Sequence, residues 1–258
     1  NTFWFVPSIL SMFLSLDKST RGKQYCRQHS IKALVGTAPL SFSLKKRFEE
    51  EYNLTLYENY GLSETLFITS NSPSNHRNVG VGRVLEGRSI NIVDAAGKAL
   101  PQGIEGEIVL DSADVMQGYH KDEKETQKVM RNNLFYTGDI GYLDAENYLH
   151  ITARKKDLII RGGINISPKQ IEEAIMEHVQ VNETAVVGIP NDLLGEEIVA
   201  VVRTEQDITA QEIKQHCRQK LALFKVPTKV LFVDEFPKSI TGKIKKEKIK
   251  ELVLSAFP

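Results

Sequence analysis

The 258-residue chain has room for one large domain or two modest ones, and its composition, 41% hydrophobic and 26% charged, is ordinary for a globular protein. Its 33 Lys and Arg balance 33 Asp and Glu, so no net charge recruits nucleic acid or an anionic membrane. Two cysteines, Cys26 and Cys217, are too few for a disulfide framework or a cysteine metal cluster. They fit a reducing compartment, and we expect a cytoplasmic protein.

The apolar run at the start of the sequence is too short to span a bilayer, and Pro7 and three serines interrupt it. No basic segment precedes the run, so a signal peptide is not expected. We predict a buried helix over residues 3–16. Because the sequence opens inside this apolar stretch, we also expect it to be the later part of a longer protein.

A strand, a small-residue turn and a helix follow in order. Ile31–Val35 predicts a short buried strand, and the turn 36–40 contains Gly36, Thr37, Ala38 and a proline. Ser41 or Ser43 can cap a helix over residues 44–51. This order is typical of an α/β unit, in which the loop after the strand binds ligands.

A second short strand over residues 55–57 is expected to end in the segment 58–65. In that segment Tyr60 can stack on a base, Ser63 can donate to a phosphate and Glu64 can hold Mg²⁺. The alternative is that Ser63 and Glu64 only start a helix, and the residues alone favour neither.

Residues 79–152 change to short β runs broken by glycine, which predicts a small distorted β-barrel. Within it, Asp139 follows Thr137-Gly138 at an expected tight turn, where a free carboxylate can accept two hydrogen bonds, as from the two ribose hydroxyls. The cations of 154–156 suit phosphate or a further sugar contact. The alternatives are an ordinary hairpin turn and a solvated basic surface.

The remainder has the pattern of a compact α+β unit. A strand over 158–160 leads to the turn Gly162-Gly163, and a capping box is expected at Ser167 and Gln170, with Pro168 at the first helical position. Residues of the following helix repeat with helical spacing and predict its buried face: Ile171, Ala174, Ile175, His178 and Val179.

A second capping box is predicted at Thr209 and Glu212, with Cys217 as a buried, unreactive thiol. A last strand over 229–233 precedes a turn-rich loop, residues 236–246, that leads into a basic helix. That loop reads Phe-Pro-Lys-Ser-Ile-Thr-Gly-Lys-Ile-Lys-Lys.

Taken in order, these segments resemble the later half of the adenylate-forming (AMP-binding) superfamily, of acyl-CoA and aryl-CoA ligase type. The specific piece is Pro-Lys-Ser-Ile-Thr-Gly-Lys at 237–243; Gly-Thr-Ala-Pro at 36–39 is weaker. The resemblance implies an α/β plus α+β fold. Residues 1–155 would be the later part of a large adenylation domain, and 156–258 a small, mobile, hinged C-terminal domain.

The resemblance also implies roles for individual residues. Gly36, Thr37 and Ala38 would line the adenine side, completed by Asn59 and Tyr60. Ser63 would contact the α-phosphate, Glu64 would bind Mg²⁺, and Asp139 would hold both ribose hydroxyls with Arg154. In the second domain Lys156 would be the hinge, Gly163 and Asn165 would border the CoA pantetheine channel, and Lys243 would bridge carboxylate and α-phosphate during adenylation.

The implied function is ATP- and Mg²⁺-dependent activation of a carboxylic acid to acyl-AMP, followed by thioester formation with CoA. Two alternatives stay open: loading of a carrier-protein phosphopantetheine, and a nucleotide-binding fragment without catalysis. The sequence departs from the family pattern at Thr37, where a glycine or smaller residue is common, and in having no glycine- and hydroxyl-rich loop for the β- and γ-phosphates. We therefore expect a missing N-terminal portion, and an isolated chain that is inactive.

Overall fold

The chain folds into two compact units, Asn1–Lys155 and Lys156–Pro258. The computed structural model describes residues 1–16, 20–77, 80–239 and 242–257. Ile240 and Thr241, in the predicted lysine loop, lie outside these described residues. The architecture confirms the predicted fold class, because an α/β unit and a curled antiparallel sheet are followed by an α+β unit. No helix in the described part of the chain has the length and apolarity needed to cross a membrane.

The first sheet has the order β1-β2-β3-β4-β5. Strands β1, β2 and β3 are parallel, and β4 and β5 continue the sheet antiparallel. The elements are β1 (Thr2–Phe5), α1 (Pro7–Leu16), α2 (Arg21–Gln28), β2 (Lys32–Val35), α3 (Phe42–Tyr52), β3 (Leu56–Leu62), β4 (Leu66–Ser70) and β5 (Arg83–Val84).

The predicted buried helix over 3–16 is wrong in two respects. Residues 2–5 form β1, which pairs with β2 from Thr2↔Lys32 to Phe5↔Val35, and the helix starts only at Pro7, where a proline suits the first turn. The helix is also largely exposed: Leu10 is fully buried, whereas Leu16 is 70% exposed. Helical and strand periods are hard to separate in a short apolar run, which explains the error.

Strand β3 extends through the segment expected to be a loop. It continues to Leu62, and a tight turn containing Ser63 and Glu64 leads directly into β4. The alternative that Ser63 and Glu64 start a helix is therefore wrong. Gly61 is required at this hairpin, because a Cβ there would lie 2.2 Å from the carbonyl oxygen of Leu66.

The second sheet of the first unit is antiparallel, in the order β10-β9-β7-β6, with β8 paired to β9. It curls around a core to which Tyr60 of β3 and Ile68 of β4 contribute, together with Ile108 and Leu149 of the sheet itself. The elements are β6 (Arg88–Val93), β7 (Gly106–Ser112), α4 (Glu123–Val129), β8 (Met130–Arg131), β9 (Leu134–Leu143) and β10 (Leu149–Arg154).

The turn predicted around Asp139 is instead a bulge inside β9. Along β7 the partners change from Glu107↔Ile140 to Val109↔Tyr136, so three residues of β9 lie opposite one residue of β7. Gly138 has a φ of +70°, which a glycine adopts without steric cost. The sequence Thr-Gly-Asp was read as a hairpin because a bulge and a turn both favour such residues.

The second unit contains a five-stranded sheet, in the order β12-β11-β14-β13 with β15 paired parallel to β14. Helices α5 and α6 pack on one face and α7 on the other. The elements are β11 (Ile159–Arg161), β12 (Ile164–Ile166), α5 (Pro168–Met176), β13 (Val181–Asn191), β14 (Gly195–Thr204), α6 (Ala210–Lys220), β15 (Lys229–Phe232) and α7 (Lys246–Ala256).

Of the two capping boxes predicted in this unit, one forms and one does not. Thr209 and Glu212 form the predicted reciprocal capping box, and Cys217 is fully buried. The box predicted at Ser167 does not form: the Ser167 side chain makes no capping hydrogen bond, and Gln170 Oε1 accepts one from Lys225 Nζ at 2.6 Å. Helix α5 ends at Met176, so the predicted buried face stops at Ile175 and Val179 is 96% exposed.

Candidate nucleotide site

Three predicted site residues are in direct contact in the first unit. Tyr60 Oη donates to Asp139 Oδ2 at 2.6 Å, and Arg154 Nε lies 2.7 Å from Asp139 Oδ1. The Asp139 side chain is 4% exposed and that of Arg154 48%. The carboxylate is thus oriented by a buried phenol on one side and by a half-exposed guanidinium on the other.

The bulge of β9 places this carboxylate. Thr137 Oγ1 donates to the carbonyl of Ile108 at 2.8 Å and accepts the backbone N–H of Asp139 at 3.1 Å. The register Asp139↔Arg154 between β9 and β10 sets the acid directly opposite its cation. Burial, followed by the charge of Asp139, raises the pKa of Tyr60 far above its usual value, so the phenol remains a hydrogen-bond donor.

A second group of predicted residues surrounds the end of β2. A Cβ at Gly36 would lie 3.1 Å from Asn59 Oδ1, so a larger residue would crowd the Asn59 side chain. Asn59 Nδ2 donates to the carbonyl of Tyr57 at 3.1 Å, while its Oδ1 is buried without a hydrogen-bond partner among the described residues. A buried acceptor without a donor is costly in a native protein, and the amino group of a base would supply one.

Thr37 has a φ of +70°. This left-handed region is unfavourable for a β-branched residue. The departure seen in the sequence therefore coincides with a strained backbone position beside Gly36.

The turn between β3 and β4 carries the remaining two residues of the first unit. Ser63 is exposed, and Glu64 Oε1 accepts a hydrogen bond from Tyr119 Oη at 2.8 Å. Burial and the neighbouring Glu64 raise the pKa of Tyr119 to about 12, which holds it as a donor. Thr65, fully buried, accepts the N–H of Leu62 and closes the turn.

Mg²⁺ usually takes one or two protein carboxylates and completes its shell with phosphate oxygens and water. Glu64 fits that role as a single carboxylate. Within the described residues no group of three or more His, Cys, Asp or Glu is arranged to hold a metal alone, so phosphate ligands would be needed.

The other predicted residues belong to the second unit. Lys156 lies in a 3-10 turn, with its Nζ 3.8 Å from Glu247 Oε1. Gly163, at φ +78°, and Asn165 lie on the β11–β12 hairpin, and a Cβ at Gly163 would meet nothing within 4 Å. Lys243 is exposed, and its backbone N–H donates to Ser239 Oγ at 3.2 Å.

Sequence reasoning missed two residues that support the site. Tyr119 orients Glu64 from 55 positions away, and nothing in the charged segment around it indicated this contact. Thr137 stood in the quoted motif, but its bond to β7 depends on strand pairing that the residues alone do not specify.

Comparison with known proteins identifies the family. The family model for AMP-binding enzymes matches residues 1–120, and the model for the AMP-binding enzyme C-terminal domain matches residues 170–243. The chain belongs to the AMP-binding enzyme family. Each unit of this AMP-binding chain contains the match to one of the two models.

Individual relatives of this AMP-binding enzyme chain are similar along nearly its whole length. Oxalate–CoA ligase of Saccharomyces cerevisiae is 34% identical over 97% of the chain and 47% of that protein. ATP-bound MatB from Rhodopseudomonas palustris has a TM-score of 0.92 at 32% identity, covering 100% of the chain and 52% of MatB.

o-Succinylbenzoate CoA synthetase from Bacillus subtilis, in complex with its acyl-adenylate intermediate, has a TM-score of 0.83 at 26% identity. The match covers 97% of this chain and 51% of the synthetase. The chain spans about half the length of the curated relatives it matches.

Proposed function

We propose that this chain provides the residues of an acid–thiol ligase that contact the ribose and adenine of ATP, together with those that border the channel for the thiol. The enzyme would activate a carboxylic acid with ATP to acyl-AMP and transfer the acyl group to CoA. The observation that carries the proposal is the Asp139 carboxylate held between Tyr60 and Arg154. Similarity to ligases named for CoA and to ATP- and acyl-adenylate-bound structures supports it.

Asp139 can accept ribose hydroxyls when the guanidinium of Arg154 moves aside. Each carboxylate oxygen has two lone pairs, and Tyr60 and Arg154 each engage a different oxygen. Since Asp139 is nearly buried and Arg154 is half exposed, a ribose would reach the carboxylate from the Arg154 side. We expect the guanidinium to shift when the sugar binds.

The adenine would be recognised through Asn59 and the backbone at Gly36. The buried Oδ1 of Asn59 offers an acceptor to an exocyclic amino group, and Gly36 admits a flat ring close to the main chain. Tyr60 is 8% exposed and its ring lies in the core of the curled sheet, so its part is to hold Asp139 and to contribute at most an edge to the base.

Attack of a carboxylate on ATP brings two anions together, so positive charge must be supplied as the transition state forms. The exposed ammonium of Lys243 would supply it for adenylation. Mg²⁺ bound through Glu64 would neutralise phosphate charge. Rotation at Lys156 would then exchange the Lys243 loop for the Gly163 hairpin, whose open space beside Asn165 suits a pantetheine arm.

Several finer assignments belong to the same proposal. The acid would be a fatty or aryl acid, or another small carboxylate. The compartment would be cytoplasmic, which the free thiols of Cys26 and Cys217 support. Because the relatives are about twice as long as the chain, we propose that sequence outside these 258 residues contributes the loop for the β- and γ-phosphates.

Acid-dependent pyrophosphate release from ATP tests the activity. The chain would be assayed alone and with the flanking sequence of its gene product, against a panel of carboxylic acids with CoA. We expect the longer protein to turn over and the chain alone to bind AMP without turnover. A longer protein that binds AMP but activates none of the acids would contradict the ligase assignment.

A further inference from the structure

A shallow groove of about 460 Å³ opens on the first unit, away from the candidate nucleotide site. Leu143 of β9 is one of its lining residues. Leu143 lies four residues after Asp139 on the same strand, and both residues pair with β10. At about 3.4 Å per residue, the backbone of Leu143 lies roughly 14 Å along the strand from that of Asp139. None of its described lining residues is acidic.

The amides that line the groove present donors. Asn75 Oδ1 accepts from the backbone N–H and the hydroxyl of Ser72, both at 2.8 Å. Because a backbone N–H only donates, this contact fixes which amide atom is oxygen. Asn147 Oδ1 accepts from Gln102 Nε2 at 2.7 Å. The two amide oxygens are thus used internally, and the NH₂ groups remain.

Two arginines lie on the same wall, one of them ion-paired. Arg88 pairs with Asp114 at 2.6 Å, but its Nε is buried without a hydrogen-bond partner in the described part of the chain. Arg83 is exposed, with its guanidinium 5.8 Å from the centroid of the Tyr148 ring. No ion pair engages Arg83 among the described residues. One ion-paired arginine and one exposed arginine therefore lie at a groove whose described lining residues include no acidic side chain.

We propose that this groove binds a small molecule through a terminal phosphate group. Guanidinium and amide donors together exceed what the two oxygens of a monocarboxylate accept, whereas a phosphate offers three oxygens in a tetrahedral array. The groove falls in the size range of small-ligand sites. Its aliphatic side chains Val84, Ile90 and Leu143 provide a surface for the body of the ligand. None of the residues proposed above for acid activation or thioester formation lines this groove.

Titration of the full chain with pyrophosphate, without Mg²⁺ and at fixed ionic strength, tests the proposal by two-dimensional NMR. We expect saturable shifts at the amides of Ser89 and Asn147. Arg83→Gln should weaken this binding about tenfold, the effect of one lost charge-assisted contact. Arg21→Gln removes an exposed arginine at the start of α2, and this control should leave the affinity unchanged.

Three results would overturn the proposal. They are shifts confined to Asp139 and Tyr60, an unchanged affinity in Arg83→Gln with native spectra, and the absence of saturation. Succinate at the same ionic strength distinguishes the ligand class. Weaker shifts than with pyrophosphate support a phosphate site, whereas equal shifts contradict the phosphate assignment.

Discussion

Tyr60 Oη donates to Asp139 Oδ2 at 2.6 Å although the two residues are 79 positions apart. This bond joins β3 of the first sheet to the bulge of β9 in the second. It therefore couples the strand that carries Asn59 to the carboxylate proposed to bind ribose, and it makes the geometry of the site depend on the packing of two sheets.

Tyr60→Phe removes this bond and leaves Asp139 buried with one fewer donor. A hydrogen bond to a charged group contributes about 1.5–3 kcal/mol, so the free energy of unfolding in urea should fall by about that amount. Tyr142→Phe removes a phenol from the same strand β9, where the ring stacks on His150, and should change stability by less than about 0.5 kcal/mol. Equal losses of unfolding free energy in the two variants would show that the Tyr60–Asp139 bond does not stabilise the fold more than the Tyr142 hydroxyl does.

Lys45 is a buried cation, with its Nζ 2.9 Å from Glu58 Oε1 and side chains 3% and 17% exposed. Loss of one partner leaves the other charge uncompensated, so Lys45→Met should cost about 3–5 kcal/mol, and the double variant Lys45→Met/Glu58→Gln less than the sum of the single changes. The exposed pair Lys46–Glu50 on the same helix, 3.9 Å apart, is the control: Lys46→Met should cost less than about 0.5 kcal/mol. Additive single effects would argue against a coupled pair.

Thr37→Gly should relieve strain at the left-handed position beside Gly36. The gain of about 1–2 kcal/mol from the relieved backbone is partly offset by about 0.4–1 kcal/mol of extra freedom in the unfolded chain. We expect a net stabilisation of about 0.5–1 kcal/mol in thermal or urea unfolding. Thr55→Gly, at an exposed position without positive φ, should be destabilising instead. If both substitutions destabilise alike, Thr37 is not strained.

Acid sensitivity of the second unit is expected at His178. Burial, then the neighbouring His216, lowers the pKa of His178, so the unfolded chain binds this proton more readily than the folded one. The contribution of the neutral ring is complete above the unfolded pKa of about 6.5 and is lost as the pH falls through the lower folded value. Unfolding free energies between pH 7.5 and 5 should therefore fall more steeply for the wild type than for His178→Gln. Parallel pH profiles would refute this linkage.

We proposed that the Lys243 loop is exchanged for the Gly163 hairpin between the two half-reactions. This exchange is tested in the longer protein, for which we expect turnover. Lys243→Ala should slow acyl-AMP formation at least about 10²-fold, because a charge aimed at the transition state is lost. Thiolysis of preformed acyl-AMP should change only a few-fold. Lys245→Ala, which removes a neighbouring exposed cation, is the matched control. Equal losses in both half-reactions would contradict the exchange.

Local patterns could be predicted from the sequence, and contacts across the chain could not. The Thr209–Glu212 capping box forms as predicted because it needs only residues three positions apart. The Ser167–Gln170 box does not form, and Gln170 instead accepts a hydrogen bond from Lys225, 55 positions away. Asp139 was identified by its motif, but its place in a bulge depends on the pairing of β9 with β7. The burial of Lys45 also had no local signal, because lysines are seldom buried.

Ligand discrimination measures the ribose contact proposed for Asp139 directly. The dissociation constants of AMP and 2′,3′-dideoxy-AMP would be compared in the wild type and in Asp139→Asn, since their ratio is insensitive to a common loss of folded protein. We predict that the wild type binds AMP about tenfold or more tightly than the dideoxy analogue, as two hydroxyl bonds to a carboxylate imply, and that Asp139→Asn brings the ratio close to one. The same ratio in both proteins would contradict the ribose assignment.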